Sequence, residues 1–133
     1  MPDSRRVESL LIVDDERDLV EPLLLRLRRA GLRVGAAYDG AAGLRQARRQ
    51  PPDAVLLDLS MPEMDGWELC RRLREDPRTR SCRLIIMTAW VTRDLERRAL
   101  AEGAERLLLK PFEDGDLAEA LGLAAERGRP PES

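Results

Sequence analysis

The chain has 133 residues, of which 43% are hydrophobic and 36% are charged, and its formal net charge is −2. This length suits a single domain with a buried core, and the composition is that of a globular protein. Because acidic and basic residues are nearly balanced, direct nucleic-acid binding is not expected. The sequence has no run of about 18 apolar residues, so it predicts no membrane-spanning helix.

Histidine and cysteine usage excludes several kinds of site. The sequence contains no histidine, which rules out a histidine base, a histidine metal ligand and a phosphohistidine on this chain. Its two cysteines, Cys70 and Cys82, match neither a zinc-binding pattern nor a disulfide framework. The N-terminus lacks the apolar segment of a secretory signal. We therefore expect a cytoplasmic protein with free thiols.

Short apolar runs alternate with segments of helical periodicity along the chain. The predicted strands are Ser9–Val13, Arg33–Tyr38, Ala54–Leu57, Leu84–Met87 and Glu105–Leu109. The predicted helices lie at about Leu19–Leu27, at Ala41–Arg49, from Asp65 onward, at Arg93–Glu102 and at Glu113–Arg127. Gly31, the Pro51-Pro52 pair and Gly103 end three of these helices, and Asp65 with Glu68 has the spacing of a capping box.

Five strand–helix units in succession predict an α/β domain whose parallel sheet is covered by helices on both faces. The runs LLIV, AVLL and LIIM are apolar at every position, as strands buried on both faces require. Ligands bind sheets of this kind beyond the carboxyl ends of the strands. The polar residues that follow the strands therefore form the candidate site.

These strand ends carry carboxylates, a hydroxyl and an ammonium group. Asp14, Asp15 and Glu16 follow the first strand, Asp58 the third, Thr88 the fourth and Lys110 the fifth. Singly, each has an ordinary explanation. The acids after the first strand could lie at a helix N-terminus, and Asp58 could begin a turn. Thr88 could cap a helix, and Lys110 could be a solvated lysine.

Together they indicate a single site, because adjacent strands lie about 4.8 Å apart and the residues at their ends therefore lie close to one another. Close carboxylates repel one another unless a cation lies among them, and oxygen ligands favour a hard ion such as Mg²⁺. Lys110 is the only lysine in the sequence, and its compact charge suits binding to a carboxylate or a phosphoryl group in turn. This combination predicts a site for a phosphoryl group.

Four motifs, LLIVDDE, AVLLDLSMPEMDGWEL, IIMTA and LLLKPF, occur in order and at suitable spacing. Through them the chain resembles, from about Glu8 to Glu126, the receiver domain of bacterial two-component response regulators, in particular the single-domain, chemotaxis-regulator-like kind. The resemblance implies a flavodoxin-like five-stranded sheet in the order 2-1-3-4-5 and a cis Lys110–Pro111 bond. It also implies a signalling domain that catalyses only its own phosphorylation and slow dephosphorylation.

The resemblance implies roles for the acidic residues. Asp58 is the phospho-acceptor, which receives a phosphoryl group from a phosphohistidine of a sensor kinase and, being ionised at neutral pH, needs no base. Asp15, Asp58 and the backbone carbonyl of Ser60 bind Mg²⁺ directly, whereas Asp14 acts mainly through metal-bound water.

The resemblance also implies how the domain switches. Thr88 donates its hydroxyl to the phosphoryl group, and Lys110 pairs with Asp58 at rest and with the phosphoryl group afterwards. Leu107 departs from the family pattern, because receivers usually carry Tyr or Phe there and use its rotation as part of the switch. Trp90 departs as well, and is either a partly buried loop aromatic or a residue that lies over the site or contacts a partner.

We expect residues 1–127 to form the receiver domain and residues 128–133 to be a polar C-terminal tail or the start of a truncated linker. The expected partners are a sensor histidine kinase or phosphotransfer protein, and a downstream protein target or an output domain missing from this chain. A homodimer through helix 4, strand 5 and helix 5 is a further candidate. No membrane partner is expected.

Two alternatives from other classes stay open. One is a degenerate receiver that acts as a scaffold and is not phosphorylated. The other is a phosphatase of the haloacid dehalogenase type, which is disfavoured because Ser60 stands where that chemistry places its second acid. Neither a dinucleotide-binding nor a P-loop motif occurs in the sequence.

Overall fold

Five strands alternate with five helices in the structure, a computed structural model that describes residues 7–122. The strands are β1 (Ser9–Val13), β2 (Arg33–Ala37), β3 (Ala54–Asp58), β4 (Arg83–Thr88) and β5 (Arg106–Leu109). The helices are α1 (Arg17–Arg29), α2 (Gly40–Arg49), α3 (Gly66–Glu75), α4 (Arg93–Ala101) and α5 (Asp114–Leu121). All ten predicted elements are therefore present, and they occur in the predicted order.

The strands form one parallel sheet in the order β2-β1-β3-β4-β5. This confirms the α/β fold with strand order 2-1-3-4-5. Alternate residues of each central strand enter two separate apolar clusters: Leu10 and Ile12 of β1 pack with α1 and α5, whereas Leu11 and Val13 pack with α2, α3 and α4. Both faces of the sheet are covered, which explains why β3 and β4 are buried at every position.

Three element boundaries differ from the prediction in an informative way. Strand β3 extends to Asp58 and β4 to Thr88, so these two site residues are the last residues of their strands. Strand β4 also begins one residue early, at Arg83, a buried side chain whose guanidinium contacts Glu105 at 2.7 Å. An arginine looks like a loop residue in the sequence, but this ion pair allows it to occupy a buried strand position.

The C-terminal helix is shorter than predicted among the described residues. Helix α5 ends at Leu121, where Gly122 adopts a positive φ of 75° as the helix cap. The remainder of the predicted helix, residues 123–127, and the predicted tail, residues 128–133, lie outside the described residues.

Short polar side chains begin three of the helices. Asp39, Asp65 and Thr92 each accept a hydrogen bond from the backbone N–H three residues later, at the N-termini of α2, α3 and α4. For Asp65 this confirms the helix start that its spacing to Glu68 predicts. None of the helices within residues 7–122 has the length and apolar character needed to cross a membrane.

Gly66 connects helix α3 to the end of β3 at very close range. A Cβ atom on Gly66 would lie 2.5 Å from the carbonyl oxygen of Asp58 and 2.7 Å from the Cα of Leu59. The Gly66 N–H donates to the carbonyl of Leu59 at 3.1 Å. Since both obstructing atoms are backbone, only glycine lets α3 begin this close to Asp58.

We predict that Gly66→Ala lowers the free energy of unfolding by about 1–3 kcal/mol, because the added methyl group must displace the backbone of Asp58 and Leu59. Urea denaturation followed by circular dichroism measures this change. Gly115→Ala is the matched control: nothing lies within 4 Å of a Cβ at Gly115, so we expect a gain of about 0.5–1 kcal/mol in the helix. Equal effects of the two substitutions would contradict the close-approach argument.

Candidate functional site

The predicted site residues converge at the carboxyl edge of the sheet. Asp58 and Thr88 end the central strands β3 and β4, and Asp14 and Lys110 directly follow β1 and β5. The strand register pairs Asp58 with Met87 and Thr88 with Leu109, so the ends of these strands are level. Residues far apart in the chain therefore meet at one point.

The ammonium of Lys110 lies at the centre of this cluster. Its Nζ is 2.8 Å from Asp14 Oδ2, 2.9 Å from Glu16 Oε1 and 3.0 Å from Asp58 Oδ1. The Lys110–Pro111 bond is cis, as expected. The Lys110 N–H also donates to the carbonyl of Thr88 at 2.7 Å, which anchors the residue to the end of β4.

The two inner carboxylates are held on both oxygens. Asp14 is fully buried, and its Oδ1 accepts the backbone N–H of Glu16 at 2.9 Å. Asp58 is 6% exposed, and its Oδ2 accepts the backbone N–H of Ser60 at 3.1 Å. These bonds, with Lys110 on the other oxygen of each group, compensate for the loss of hydration on burial.

The ionisation of the site reflects its burial and its charges. Burial raises the pKa of the Asp58 carboxyl, and the nearby charge of Asp14 adds to the rise, while the bonds from Lys110 and Ser60 oppose it; the net shift is upward. Burial lowers the pKa of Lys110, but its hydrogen bonds to Asp14, Glu16 and Asp58 outweigh burial and raise that pKa overall. Lys110 is therefore a permanent cation at neutral pH.

Asp14, Asp15 and Asp58 form the acidic group that the sequence predicted. Each offers a carboxylate oxygen, and these oxygens lie within 4.8 Å of one another. Asp15 is exposed, whereas the other two are buried. All the donors are hard oxygen atoms, and one side of the group is open to water, as Mg²⁺ requires. The residues present therefore fit this ion.

The switch candidates lie beside the site. The Thr88 hydroxyl donates to the carbonyl of Trp90 at 3.1 Å and accepts its N–H at 3.3 Å. Trp90 itself is 76% exposed, so the interpretation as a partly buried loop aromatic is wrong. Leu107 is half-buried and packs on the apolar cluster that includes Ala99 and Ala104. It contributes to the packing between α4 and β5.

Two residues outside the site, Cys70 and Trp67, contribute to the packing of α3. Cys70 is fully buried, and both cysteines are free thiols. Burial raises the pKa of the Cys70 thiol to about 12, which makes it an inert core residue. Trp67 packs on the cluster beneath α3, and the guanidinium of Arg98 lies 4.2 Å from its ring centroid.

One residue of the candidate site had no role assigned to it from the sequence. Glu16 belongs to the DDE run, which signalled its place at the strand end, but no sequence pattern indicates that its side chain pairs with Lys110. The two residues are 94 positions apart. Their contact depends on β1 and β5 lying on opposite sides of β3 and β4, with the lysine reaching across.

The strand order defines a flavodoxin-like α/β domain, and the acidic group at its carboxyl edge has the oxygen donors that a hard cation prefers. The sequence model of the response regulator receiver domain family matches residues 10–122. The chain belongs to this family and is a receiver domain of two-component signalling systems. This assignment decides against a phosphatase of the haloacid dehalogenase type.

Among curated relatives, the chain is 39% identical over 105 residues to the response regulator PleD of Caulobacter vibrioides, covering 79% of this chain and 23% of the relative. It is 33% identical over 125 residues to the DNA-binding dual master transcriptional regulator RpaA of Synechocystis, covering 93% of this chain and 52% of the relative. The chain thus spans about a quarter to a half of the length of these relatives.

Solved structures of receiver domains are similar in fold. The chemotaxis protein CheY4 of Vibrio cholerae has a TM-score of 0.83 at 27% identity, covering 87% of this chain and 97% of that one. The receiver domain of the sensor histidine kinase PA1611 from Pseudomonas aeruginosa has a TM-score of 0.77 at 30% identity, covering 86% and 94%. In that structure a magnesium ion is coordinated in the active site cleft.

We predict that Asp58→Asn stabilises the metal-free protein at neutral pH. Folding raises the pKa of the Asp58 carboxyl. Deprotonation of Asp58 therefore lowers the free energy of unfolding as the pH rises from the ordinary carboxyl pKa of 3.8 through the folded-state pKa. Below pH 3.8 the carboxyl is protonated in both states and this cost disappears. Urea denaturation in the presence of a chelator, at neutral pH and near pH 4, should show the largest gain at neutral pH. Asp18→Asn, at an exposed position of α1, should show no comparable gain; a destabilised Asp58→Asn would contradict the prediction.

Proposed function

We propose that this receiver domain accepts a phosphoryl group on Asp58 from the phosphohistidine of a sensor histidine kinase or a phosphotransfer protein. The observation that carries the proposal is the Asp58 carboxylate itself, nearly buried at the end of a central strand and contacted at 3.0 Å by the ammonium of Lys110. An Asp58 oxygen attacks phosphorus while the phosphorus–nitrogen bond breaks and the imidazole retains the electron pair.

Asp14, Asp15 and Asp58 are the residues that would hold Mg²⁺, and the backbone carbonyl of Ser60 would complete the set of protein ligands. Their grouped oxygens support this assignment. When bound, the ion supplies positive charge beside the transferred phosphoryl group. The protein's own contribution is to hold Asp58 in place through the Ser60 N–H and to oppose, through Lys110, the rise in the Asp58 pKa that burial causes.

Lys110 and Thr88 provide the donors for the phosphoryl oxygens. Lys110 already contacts Asp58 at rest, so only a short movement is needed for its ammonium to reach the new phosphoryl group. The Thr88 hydroxyl is bonded to Trp90 at rest, and turning it toward the phosphoryl group breaks that bond. The change at Thr88 would then alter the loop that carries Trp90 and α4.

The α4–β5–α5 face is our candidate output surface. Leu100 of α4 and Leu109 of β5 are exposed, as is Trp90 in the preceding loop. In β5, Leu107 stands where receiver domains usually have an aromatic residue. In this proposal, the conformational change therefore reaches the output surface through the loop that contains Trp90. The occupant is a downstream protein, an output domain or a second copy of this chain. Sedimentation of phosphorylated and unphosphorylated protein distinguishes the second copy from the others.

Incubation with Mg²⁺ and acetyl phosphate tests the central proposal. We expect intact mass spectrometry to show one added phosphoryl group, and we expect none when the chelator EDTA replaces Mg²⁺ or when Asp58 is changed to Asn. Hydroxylamine should remove the group, because an aspartyl phosphate is an acyl phosphate. No added mass on the wild-type protein would leave the scaffold alternative in place, and equal addition to Asp58→Asn would show that Asp58 is not the acceptor.

We also predict that Lys110→Arg slows phosphorylation by about tenfold or more, although it keeps the charge. The ammonium fits among three carboxylates at 2.8–3.0 Å, a space too small for the wide, planar guanidinium. The rate of mass gain with acetyl phosphate measures the effect. Arg106→Lys, at an exposed position on the same strand, is the matched control and should leave the rate unchanged. If Lys110→Arg reacts like wild type, the compactness of lysine is not what the site requires.

A further inference from the structure

Glu16 occupies the N-cap position of α1 without capping the helix. Its side chain makes no hydrogen bond to the backbone N–H groups of the first turn, although Asp39, Asp65 and Thr92 do so on other helices. The Glu16 carboxylate instead accepts a bond from Lys110 Nζ at 2.9 Å. A residue at the start of α1 is thus turned away from its own helix toward the reactive site.

This contact completes the coordination of the ammonium. A lysine has three N–H donors, and Lys110 has three carboxylate partners: Asp14, Glu16 and Asp58. No donor is left for a phosphoryl oxygen while all three contacts are made. Binding of the phosphoryl group by Lys110 therefore requires that one of the three bonds be released.

Glu16 is the partner whose release costs least. The side chains of Asp14 and Asp58 are 0% and 9% exposed, whereas that of Glu16 is 62% exposed. Water can replace the lysine at the Glu16 carboxylate but not at the buried ones. Until that exchange occurs, the Glu16 charge also repels an approaching phosphoryl donor.

We propose that Glu16 is a positioning residue that holds Lys110 in its resting place and thereby slows phosphorylation of Asp58. This inference rests on the proposed function. The donor that becomes available to the phosphoryl group is the one that Glu16 releases, and Asp14 retains its bond to the lysine throughout. Glu16 thus sets how readily the resting site accepts a phosphoryl group, without touching that group itself.

The first test compares phosphorylation rates of variants. We expect Glu16→Gln to gain the phosphoryl group from acetyl phosphate about three- to fivefold faster than wild type, and Glu16→Asp, which keeps the charge, to stay closer to wild type. The gain should be smaller with phosphoramidate, which carries less negative charge at neutral pH. Asp18→Asn removes the same charge from the first turn of α1 and is the matched control. A Glu16→Gln rate at or below that of Asp18→Asn would overturn the proposal.

The second test observes the lysine without phosphorylation. Because Lys110 is the only lysine in the sequence, protein labelled with ¹⁵N-lysine has one side-chain ammonium signal. We expect Glu16→Gln to speed the exchange of its protons with water and to shift the signal, and Asp18→Asn to leave both unchanged. An unchanged ammonium signal in Glu16→Gln would show that Glu16 does not hold the lysine.

The two proposals fail in distinguishable ways. If wild-type protein gains no phosphoryl group at Asp58, the proposed function fails, while the lysine signal still reports whether Glu16 binds Lys110. If wild type is phosphorylated but Glu16→Gln reacts no faster than Asp18→Asn, only the role of Glu16 is wrong.

Discussion

The rest of this structure depends on one electrostatic interaction: a single ammonium group pairs with two buried carboxylates, whose burial without a cation would be strongly unfavourable. Asp14 is fully buried and Asp58 nearly so, and Lys110 lies within 3.0 Å of both. Without a cation among them, two carboxylates at this depth would repel each other and shift toward the neutral form. The lysine opposes this shift at Asp58, and the proposed reaction with phosphorus needs the anionic form of the carboxyl.

Several features of the backbone beside these charges bring them together. The central strands must end level with one another, which the register of β3 with β4 and of β4 with β5 achieves. Helix α3 must begin against the last residue of β3, which only Gly66 permits. The apolar strands β3 and β4 are buried at every position, and this close-packed sheet is a rigid support for the side chains at its carboxyl edge.

Most of the fold and most of the site were predictable from local pattern. Apolar strands separated by amphipathic helices predict a doubly wound sheet, and its strand ends pick out Asp14, Asp15, Asp58, Thr88 and Lys110. The prediction is less accurate for residues whose type can be either buried or exposed. Arg83 lies outside the predicted strand because the sequence does not reveal Glu105 opposite it. For Trp90 the sequence left two interpretations open, a partly buried loop aromatic or a residue over the site or against a partner.

What the sequence by itself determined is the order of elements, the apolar faces and the set of residues at the strand ends, since these follow from periodicities of a few residues. Only the tertiary structure decided which partner each charge takes. Glu16 and Lys110 lie 94 positions apart, and their contact depends on strand order and on the reach of a flexible side chain. The same holds for Leu107, whose packing against α4 rather than at the site is a consequence of the assembled fold. Pairing between distant residues is a property of the packed sheet, and no local sequence pattern predicts it.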